Sequence, residues 1–539
     1  MNKTLSLKTL ALGRLGMLAI ASSFCGLATA QIKDVKGTIT DSSGEPLIGV
    51  SIMEKGTSNG TVSDIDGNFT ISTNKSNTLV ISYLGYTSQE VNATSGKPLQ
   101  ILLKENTELL DEVVVVGYGT QKKVNLTGSV SSVSAKELAN KPVTSTAQAL
   151  AGLAPGLSVL QNSGRPGAGA SVKIRGTGTF SSAGNSPLVL IDGLSGSLDD
   201  VDPNDIQNIS FLKDAASASI YGNRAANGVI LIETKKGTTG KTTVTYNGSF
   251  GWQSPTELPD FLPSWEYAEY YNMAMRNMGR QEAYTAEQIQ KYRDGSDPDN
   301  YPNVNHLKWL LESGSGFQHQ HNIGIQGGNT SMSYNLSIGY RNQEGMTANT
   351  NNERFTALFS MKSNLSKSLH LNLNINAYNN TYNAPNGEPQ SIDGMIGYTV
   401  REGAIYAGKK SDGSFGYQDN YSPEAWLNGE SFVKNISRNV SASGQLTWDT
   451  PIKGLSLIGK AGVTYWTKYD KAYRAETYFD ENKTIGPSAL NIWTANNTYT
   501  TFEALANYEK QIQKHYFKIL AGTSVEQSSN KGLEGYRNT

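Results

Sequence analysis

Beyond residue 242 the chain repeats a pattern that few folds can satisfy: runs of about 10 residues in which apolar and polar side chains alternate. Met332, Tyr334, Leu336, Ile338 and Tyr340 fall on one face of such a run, and Ser331, Ser333, Asn335, Ser337 and Arg341 on the other. Successive side chains of a strand point to opposite sides, so one face is greasy and the other wet. The alternation recurs at 244–252, 355–361, 369–373, 440–448, 455–465 and 502–508, with weaker runs near Ile323 and Phe517, giving about nine strands. That length crosses an outer membrane when tilted. The connectors add an independent constraint, because short turns (327–330, 364–367, 451–454, 510–514) alternate with longer loops (253–316, 343–352, 379–437, 468–497). An up-and-down barrel puts its tight turns on one side of the membrane and its long loops on the other, whereas a soluble β-protein has no reason to keep that parity. Nine strands leave two open edges that lipid cannot satisfy, and Asn538-Thr539 is no closing aromatic strand, so further strands are expected after this stretch.

The first thirty residues read as a secretory signal: Lys3, Lys8 and Arg14 precede an apolar run, and Ala28-Thr29-Ala30 offers a cleavage site. The run is too short to span a bilayer as a helix. Cys25, the one cysteine of the 539 residues, lies inside this signal behind the bulky Phe24, so neither a lipid anchor nor disulfides are expected to contribute. With a net charge of -1 there is no basic surface for phosphates, and nucleic acid is excluded as a partner.

Residues 31–106 carry short alternating runs between Ser43-Gly44, Asp66-Gly67 and Leu84-Gly85, the pattern of a small β-sandwich. The Asp64 to Asn68 stretch lacks the spacing of a calcium loop and reads as a turn. Next, Val113, Val114, Val115 and Val116 favour extended backbone between flanking acids, glycines and lysines. Taken alone, this run is either a last strand of the sandwich or a segment that adds itself to another protein's sheet edge. From residue 124 to 238 helical signals at 146–154 and 214–221, with Asp214 placed to cap the second, mix with strands near 171–175, 188–191, 209–212 and 229–234, the composition of a compact α+β domain.

Several stretches together resemble the SusC/RagA-type TonB-dependent transporters of Bacteroidetes. VKGTITDSSGEPLIGVSI and TVSDIDGNFTI resemble the carboxypeptidase-regulatory-like domain of that family, and LDEVVVVGYGTQKK its TonB-box region. ALAGLAPGLSV, VKIRGTG, PLVLIDG and KDAASASIYGNRAANGVILIETKKG resemble its plug, and GGNTSMSYNLSIGYRNQEG its early barrel. The resemblance implies a mainly β fold: a signal peptide (1–30), a β-sandwich (31–106), a TonB-box segment (107–123), an α+β plug (124–238) and the first part of a transmembrane antiparallel β-barrel (239–539). It also implies import of nutrient oligomers across the cell outer membrane, oligosaccharides ahead of oligopeptides. The implied partners are TonB with its ExbB/ExbD energising complex, a SusD-like surface lipoprotein and outer-membrane lipid. TonB contact is expected at Asp111, Glu112, Val113, Val114, Val115, Val116, Gly117, Tyr118 and Gly119. The alternative from another class is a secreted or surface β-rich binding protein or adhesin.

No catalytic, cofactor or metal site is expected. The sandwich has no histidine, so a zinc peptidase centre cannot be built there. His319 and His321 form an H-x-H pair without an acidic companion and read as strand residues; the segment 237–242 lacks the first glycine of a phosphate loop and reads as a linker. Candidate cargo contacts are loop aromatics, Trp265, Tyr417, Trp426 and Trp493 foremost, since flat rings suit sugar faces and peptide side chains alike. Ordinary loop packing is the competing reading for each. Ser264 is expected to cap the helix that carries Trp265.

Overall fold

The computed structural model describes residues 33–41, 44–57, 59–73, 78–83, 86–93, 98–104, 113–116, 119–122, 129–139, 141, 143–179, 184–386, 391–480, 483–513 and 515–538. The expected signal lies outside them. The chain divides into two compact units, residues 1–114 with 120–126, and residues 115–119 with 127–539.

In the first unit, β1 (Lys33–Thr40), β4 (Asn68–Thr73) and β7 (Leu99–Leu102) form one sheet in the order β4-β1-β7. A second sheet orders β3 (Gly60–Val62), β2 (Ser51–Glu54), β5 (Thr78–Ser82) and β6 (Gln89–Asn92). Val35, Ile39, Val50, Ile52, Phe69, Ile71, Leu79, Ile81 and Ile101 form a shared core, all but Val50 supplied by the inward half of an alternating strand. The Asp64 stretch is a turn as expected: Asp64 Oδ1 accepts from the backbone N–H groups of Asp66 (3.0 Å) and Asn68 (2.7 Å), and Gly67 takes φ +74°.

The valine run, β8 (Val113–Val116), pairs with β9 (Gly119–Lys122) as a two-stranded hairpin and, among the described residues, joins neither sandwich sheet. The reading of it as a last sandwich strand is therefore corrected. A partner two residues away costs the least loop entropy, and it wins.

The second unit begins with the α+β domain. Its main sheet runs β10 (Val130–Ser134), β15 (Ile206–Leu212), β16 (Val229–Thr234), β13 (Leu188–Ile191), β14 (Leu194–Ser195), and a separate ribbon pairs β11 (Leu157–Leu160) with β12 (Ser171–Ile174). β13 and β14 meet through Asp192 and Gly193, both at positive φ, a hairpin turn that suits short polar or glycine residues. Helices α1 (Ala135–Ala139), α2 (Thr146–Ala149) and α3 (Ala215–Ala218) are short; Ser145 caps α2, and Asp214 caps α3 by accepting from Ser217 N at 2.7 Å. Phe211, Ile206, Ile209, Ile230 and Ile232 anchor the core, none more than 1% exposed.

Nine antiparallel strands follow in chain order: β17 (Gly240–Trp252), β18 (Phe317–Gly328), β19 (Met332–Glu344), β20 (Asn351–Asn364), β21 (Leu369–Pro385), β22 (Phe432–Asp449), β23 (Leu455–Arg474), then β26 (Ala489–Ile512) and β27 (His515–Asn538). Between β23 and β26 lies the small hairpin β24 (Thr477–Asp480) and β25 (Lys483–Ile485). Short turns and longer loops alternate as expected. The strands outrun the expected length of about 10 residues, reaching 24 in β26 and β27, because pairing continues unbroken from Leu455↔Tyr508 to Arg474↔Ala489. The long loops carry α4 (Ser264–Asn277), α5 (Ala286–Asp294), α6 (His306–Leu311), α7 (Ile392–Thr399) and α8 (Pro423–Asn428). No described helix is long and apolar enough to cross a membrane, which bears on helices alone.

Candidate functional site

The nine-strand wall is inside out by the standard of a soluble protein. On β19 Ser333, Asn335 and Ser337 are buried, whereas Ile338 is 56% exposed and Met332 44%. The same inversion buries Asn352, Thr356 and Ser360 on β20, Asn376 on β21 and Asn439 on β22, and exposes Val244, Tyr246, Phe250, Trp252, Phe355, Val440 and Phe502. The polar face is buried because the α+β domain lies against it.

That seam is built from side-chain amides and guanidinium groups meeting backbone carbonyls. Arg341 donates to Thr144 O and, at 3.2 Å, to Asn352 Oδ1; Arg354 donates to Asp199 O at 2.5 Å and lies over the Tyr378 ring at 4.2 Å. Asn376 donates to Asp200 O (2.9 Å), Ser360 to Lys235 O (2.9 Å), and Gln343 Oε1 accepts from Gly167 N (3.0 Å). A cavity of about 50 Å³ remains among Ser145, Gly167, Asp199, Asp202, Arg341 and Arg354. Asp205, 2% exposed and with no hydrogen-bond partner for Oδ1, has its carboxyl pushed up to about 7 by burial, with the nearby Asp202 charge adding to it. Gly237 threads so close to β19 that a Cβ would collide with the Tyr334 backbone, which accounts for glycine in the linker.

Above the seam the long loops form their own cluster. Leu310, Ile392, Met395, Tyr421, Trp426 and Leu427 make its core. Tyr421 stacks on Tyr398 (5.1 Å) and meets Trp426 edge-on (4.3 Å). Beside them opens a cavity of about 540 Å³ lined by Tyr398, Arg401, Glu402, Gln418, Asp419 and Trp426. Under it His306, Glu402 and Glu424 converge, all buried. His306 Nδ1 lies 2.8 Å from Glu424 Oε1 and 3.9 Å from Glu402 Oε2, and Nε2 lies 3.2 Å from Tyr406 O. Burial opposes charge on His306, yet the Glu424 hydrogen bond and the two carboxylates outweigh it and raise the imidazole; burial pushes Glu402 up to about 8.

The sequence-predicted residues fare unevenly. Asp111, Glu112, Gly117 and Tyr118 lie outside the described residues; Val113 to Val116 form β8, and Gly119 begins β9. Trp265 is half-buried in α4, and Ser264 does not cap that helix: Pro263 holds the cap position, and Ser264 Oγ donates to Pro302 O (2.6 Å) and Ala404 O (2.8 Å), tying two loops together. Tyr417 packs on Phe479 at 5.2 Å. Trp426 is 3% exposed and belongs to the loop core while also lining the cavity. Trp493 is not in a loop at all; it sits on β26 opposite Asp470, under Lys468 at 4.7 Å, because the alternation carries pairing beyond the expected strand end. These four are not brought to one point. Tyr267, Tyr271, Tyr284, Tyr292 and Tyr301 form a chain of ring contacts binding α4 to α5, so most loop aromatics are packing. His319 and His321 lie on β18, 3.2 Å apart, as expected of strand residues. The His306, Glu402 and Glu424 cluster escaped sequence reading, since its members stand 96 and 22 positions apart (402 − 306 and 424 − 402) with no motif linking them.

A polar-faced sheet of antiparallel strands with a separate α+β domain lodged against it defines the plug-bearing β-barrel receptors. The TonB-dependent Receptor Plug Domain matches residues 122–229, and the CarboxypepD_reg-like domain matches residues 35–115. The chain is 37% identical over 356 residues to TonB-dependent receptor SusC of Bacteroides thetaiotaomicron, covering 63% of this chain and 33% of that protein. It is 30% identical over 532 residues to TonB-dependent receptor P39 of Formosa agariphila, covering 95% and 48%. A solved structure of the RagAB peptide importer in its open-open state superposes with TM-score 0.66 at 26% identity, over 79% of this chain and 50% of that one. The chain belongs to the SusC/RagA-type TonB-dependent receptors, and spans between a third and a half of the length of the curated relatives it matches.

Proposed function

We propose that this chain forms the plug-bearing part of an energised outer-membrane importer of nutrient oligomers, its plug shifted when TonB, driven by ExbB/ExbD, pulls on the segment from Asp111 to Gly119. The division at 31–106, 107–123, 124–238 and 239–539 follows from this reading, as do a periplasmic N-terminal domain, a SusD-like lipoprotein over the loops and outer-membrane lipid around the wall. The observation that carries it is the inverted wall with its polar seam. Amides, hydroxyls and guanidinium groups that hold the plug can be satisfied by water once it moves, at a net cost of roughly 0.5–1.5 kcal/mol for each hydrogen bond. An apolar seam would resist far more strongly, at ~25 cal/mol per Å² exposed.

The valine hairpin suits the pulling step, since an extended strand with open edges recruits another strand through its backbone. Hydrogen bonds of an added strand bear load together in shear. For cargo, the rim of Tyr398 beside Arg401, Gln418 and Asp419 supports oligosaccharides ahead of oligopeptides, because flat rings with flanking amides and charges match sugar faces and hydroxyls. Likeness to a peptide importer keeps peptides in the comparison. No arrangement in this reading does covalent chemistry; the work is binding and displacement.

The test is deletion of residues 111–119. Uptake of labelled oligosaccharide by whole cells is expected to fall to background while surface binding is unchanged. Loss of both, or of neither, contradicts the proposal, and the latter outcome favours a surface adhesin.

A further inference from the structure

We infer that His306, Glu402 and Glu424 form a binding site for one divalent transition metal ion, zinc in class, that staples the 253–316 loop to the 386–431 loop beneath the aromatic cavity. The three side chains offer one nitrogen and two carboxylate donors whose ligand atoms all lie within 4.8 Å of one another. Ligands about 2.0–2.2 Å from a tetrahedral ion stand about 3.4 Å apart, and the observed 2.8 Å and 3.9 Å separations bracket that spacing. Binding therefore needs only small side-chain shifts.

The carboxylates of the cluster are under-satisfied. The Glu402 side chain is 1% exposed, and neither of its oxygens has a hydrogen-bond partner, nor has Oε2 of Glu424. Among the described residues no lysine or arginine pairs with either carboxylate. Buried glutamate oxygens without hydrogen-bond partners are an expensive arrangement, and a divalent ion offers them a ligand. The surroundings also fix the donor. Nε2 lies 3.2 Å from Tyr406 O, the kind of outer-shell hydrogen bond that commonly orients a metal-bound histidine, and Nδ1, hydrogen-bonded to Glu424 Oε1 at 2.8 Å, faces the two glutamates and exchanges that proton for the ion on binding. An imidazole among two carboxylates disfavours calcium and magnesium, which want six or more oxygens. Glu402 also lines the cavity of about 540 Å³, which provides a way in.

The consequence is mechanical. His306 opens α6 in one loop; Glu402 and Glu424 belong to the other, Glu424 in the first turn of α8. An ion held by all three locks the floor under Tyr398, Tyr421 and Trp426.

The experiment uses the purified chain in detergent, stripped with a chelator, then dialysed against Zn²⁺ alone and assayed by plasma mass spectrometry and competition titration. One retained zinc per chain is expected, with affinity falling at least tenfold in Glu402→Gln and in His306→Gln, and unchanged in a His319→Ala, His321→Ala double variant. The zinc absorption edge of the unmodified protein is expected to fit one imidazole with carboxylate oxygens, a readout independent of variant folding. Absence of retained zinc, zinc undiminished by Glu402→Gln, or a fit requiring two imidazoles overturns the inference. Uptake is not part of the readout, so the inference and the importer proposal fail separately.

Discussion

Ile338→Arg separates a lipid-facing wall from a water-facing one. Ile338 is the seventh of the 13 residues of β19 and 56% exposed. If water bathed it, arginine would be almost neutral, within roughly 0.5 kcal/mol for a surface change. In a bilayer the geometry gives a different answer. Six residues at about 3.4 Å, tilted by about 40°, place Met332 some 16 Å from Ile338 along the membrane normal, beyond the edge of an apolar band ~25 Å tall centred on Ile338. Arginine at the midplane costs about 2–4 kcal/mol and near the interface about 0–1 kcal/mol. Ile338→Arg should therefore lower the folding equilibrium constant in phosphatidylcholine vesicles by about 30- to 900-fold, and Met332→Arg by no more than about fivefold. Guanidinium titration of vesicle-inserted protein, followed by tryptophan fluorescence, measures both. Equal, small effects at the two positions would refute the depth argument and with it the lipid-facing assignment.

Three further outcomes follow. Ser163 Oγ donates to Asp393 Oδ1 at 2.5 Å, plug to surface helix, and residues 26–539 contain no cysteine, so Ser163→Cys with Asp393→Cys should form a disulfide that stops uptake until a reductant is added; uptake unaffected by a verified bond would show that this part of the plug need not move. Asp205 titrates near 7 in the fold and near 3.8 when unfolded, so the folded state holds the proton more tightly and stability falls as pH rises from about 4 to about 7; chemical denaturation should show this slope, and Asp205→Asn should flatten it. Trp426→Ala should cost about 3–5 kcal/mol by emptying the loop core, detectable as faster proteolysis of the 386–431 loop; a change in cargo affinity with no change in proteolysis would return Trp426 to the list of pure cargo contacts.

What could be read from sequence was whatever repeats locally. The alternation in β19 and the parity of turns and loops are set by neighbours two residues apart and by turn chemistry, and both survive in the fold. The Asp214 cap and the Asp64 turn are likewise local. The partner of the valine run, the far ends of β23 and β26 and the burial of Trp426 depend on which surfaces meet, and no local pattern in the sequence carries that information. Ser264 illustrates the difference: serine before a helical run is a sound cap signal, yet two distant carbonyls, Pro302 in its own loop and Ala404 in another, compete for its hydroxyl. The plug seam was hidden for the same reason, since nothing in Arg341 or Arg354 announces a carbonyl of Thr144 or Asp199.

The whole account turns on which medium each face of β19 meets. Single spin labels at positions 332 to 340 of the vesicle-inserted protein, collided with oxygen and with a water-soluble nickel chelate, test it residue by residue. At 334, 336, 338 and 340 oxygen should dominate; at 333, 335, 337 and 339, buried against the plug, both relaxers should be weak. Nickel access equal to oxygen access along the even positions would contradict it.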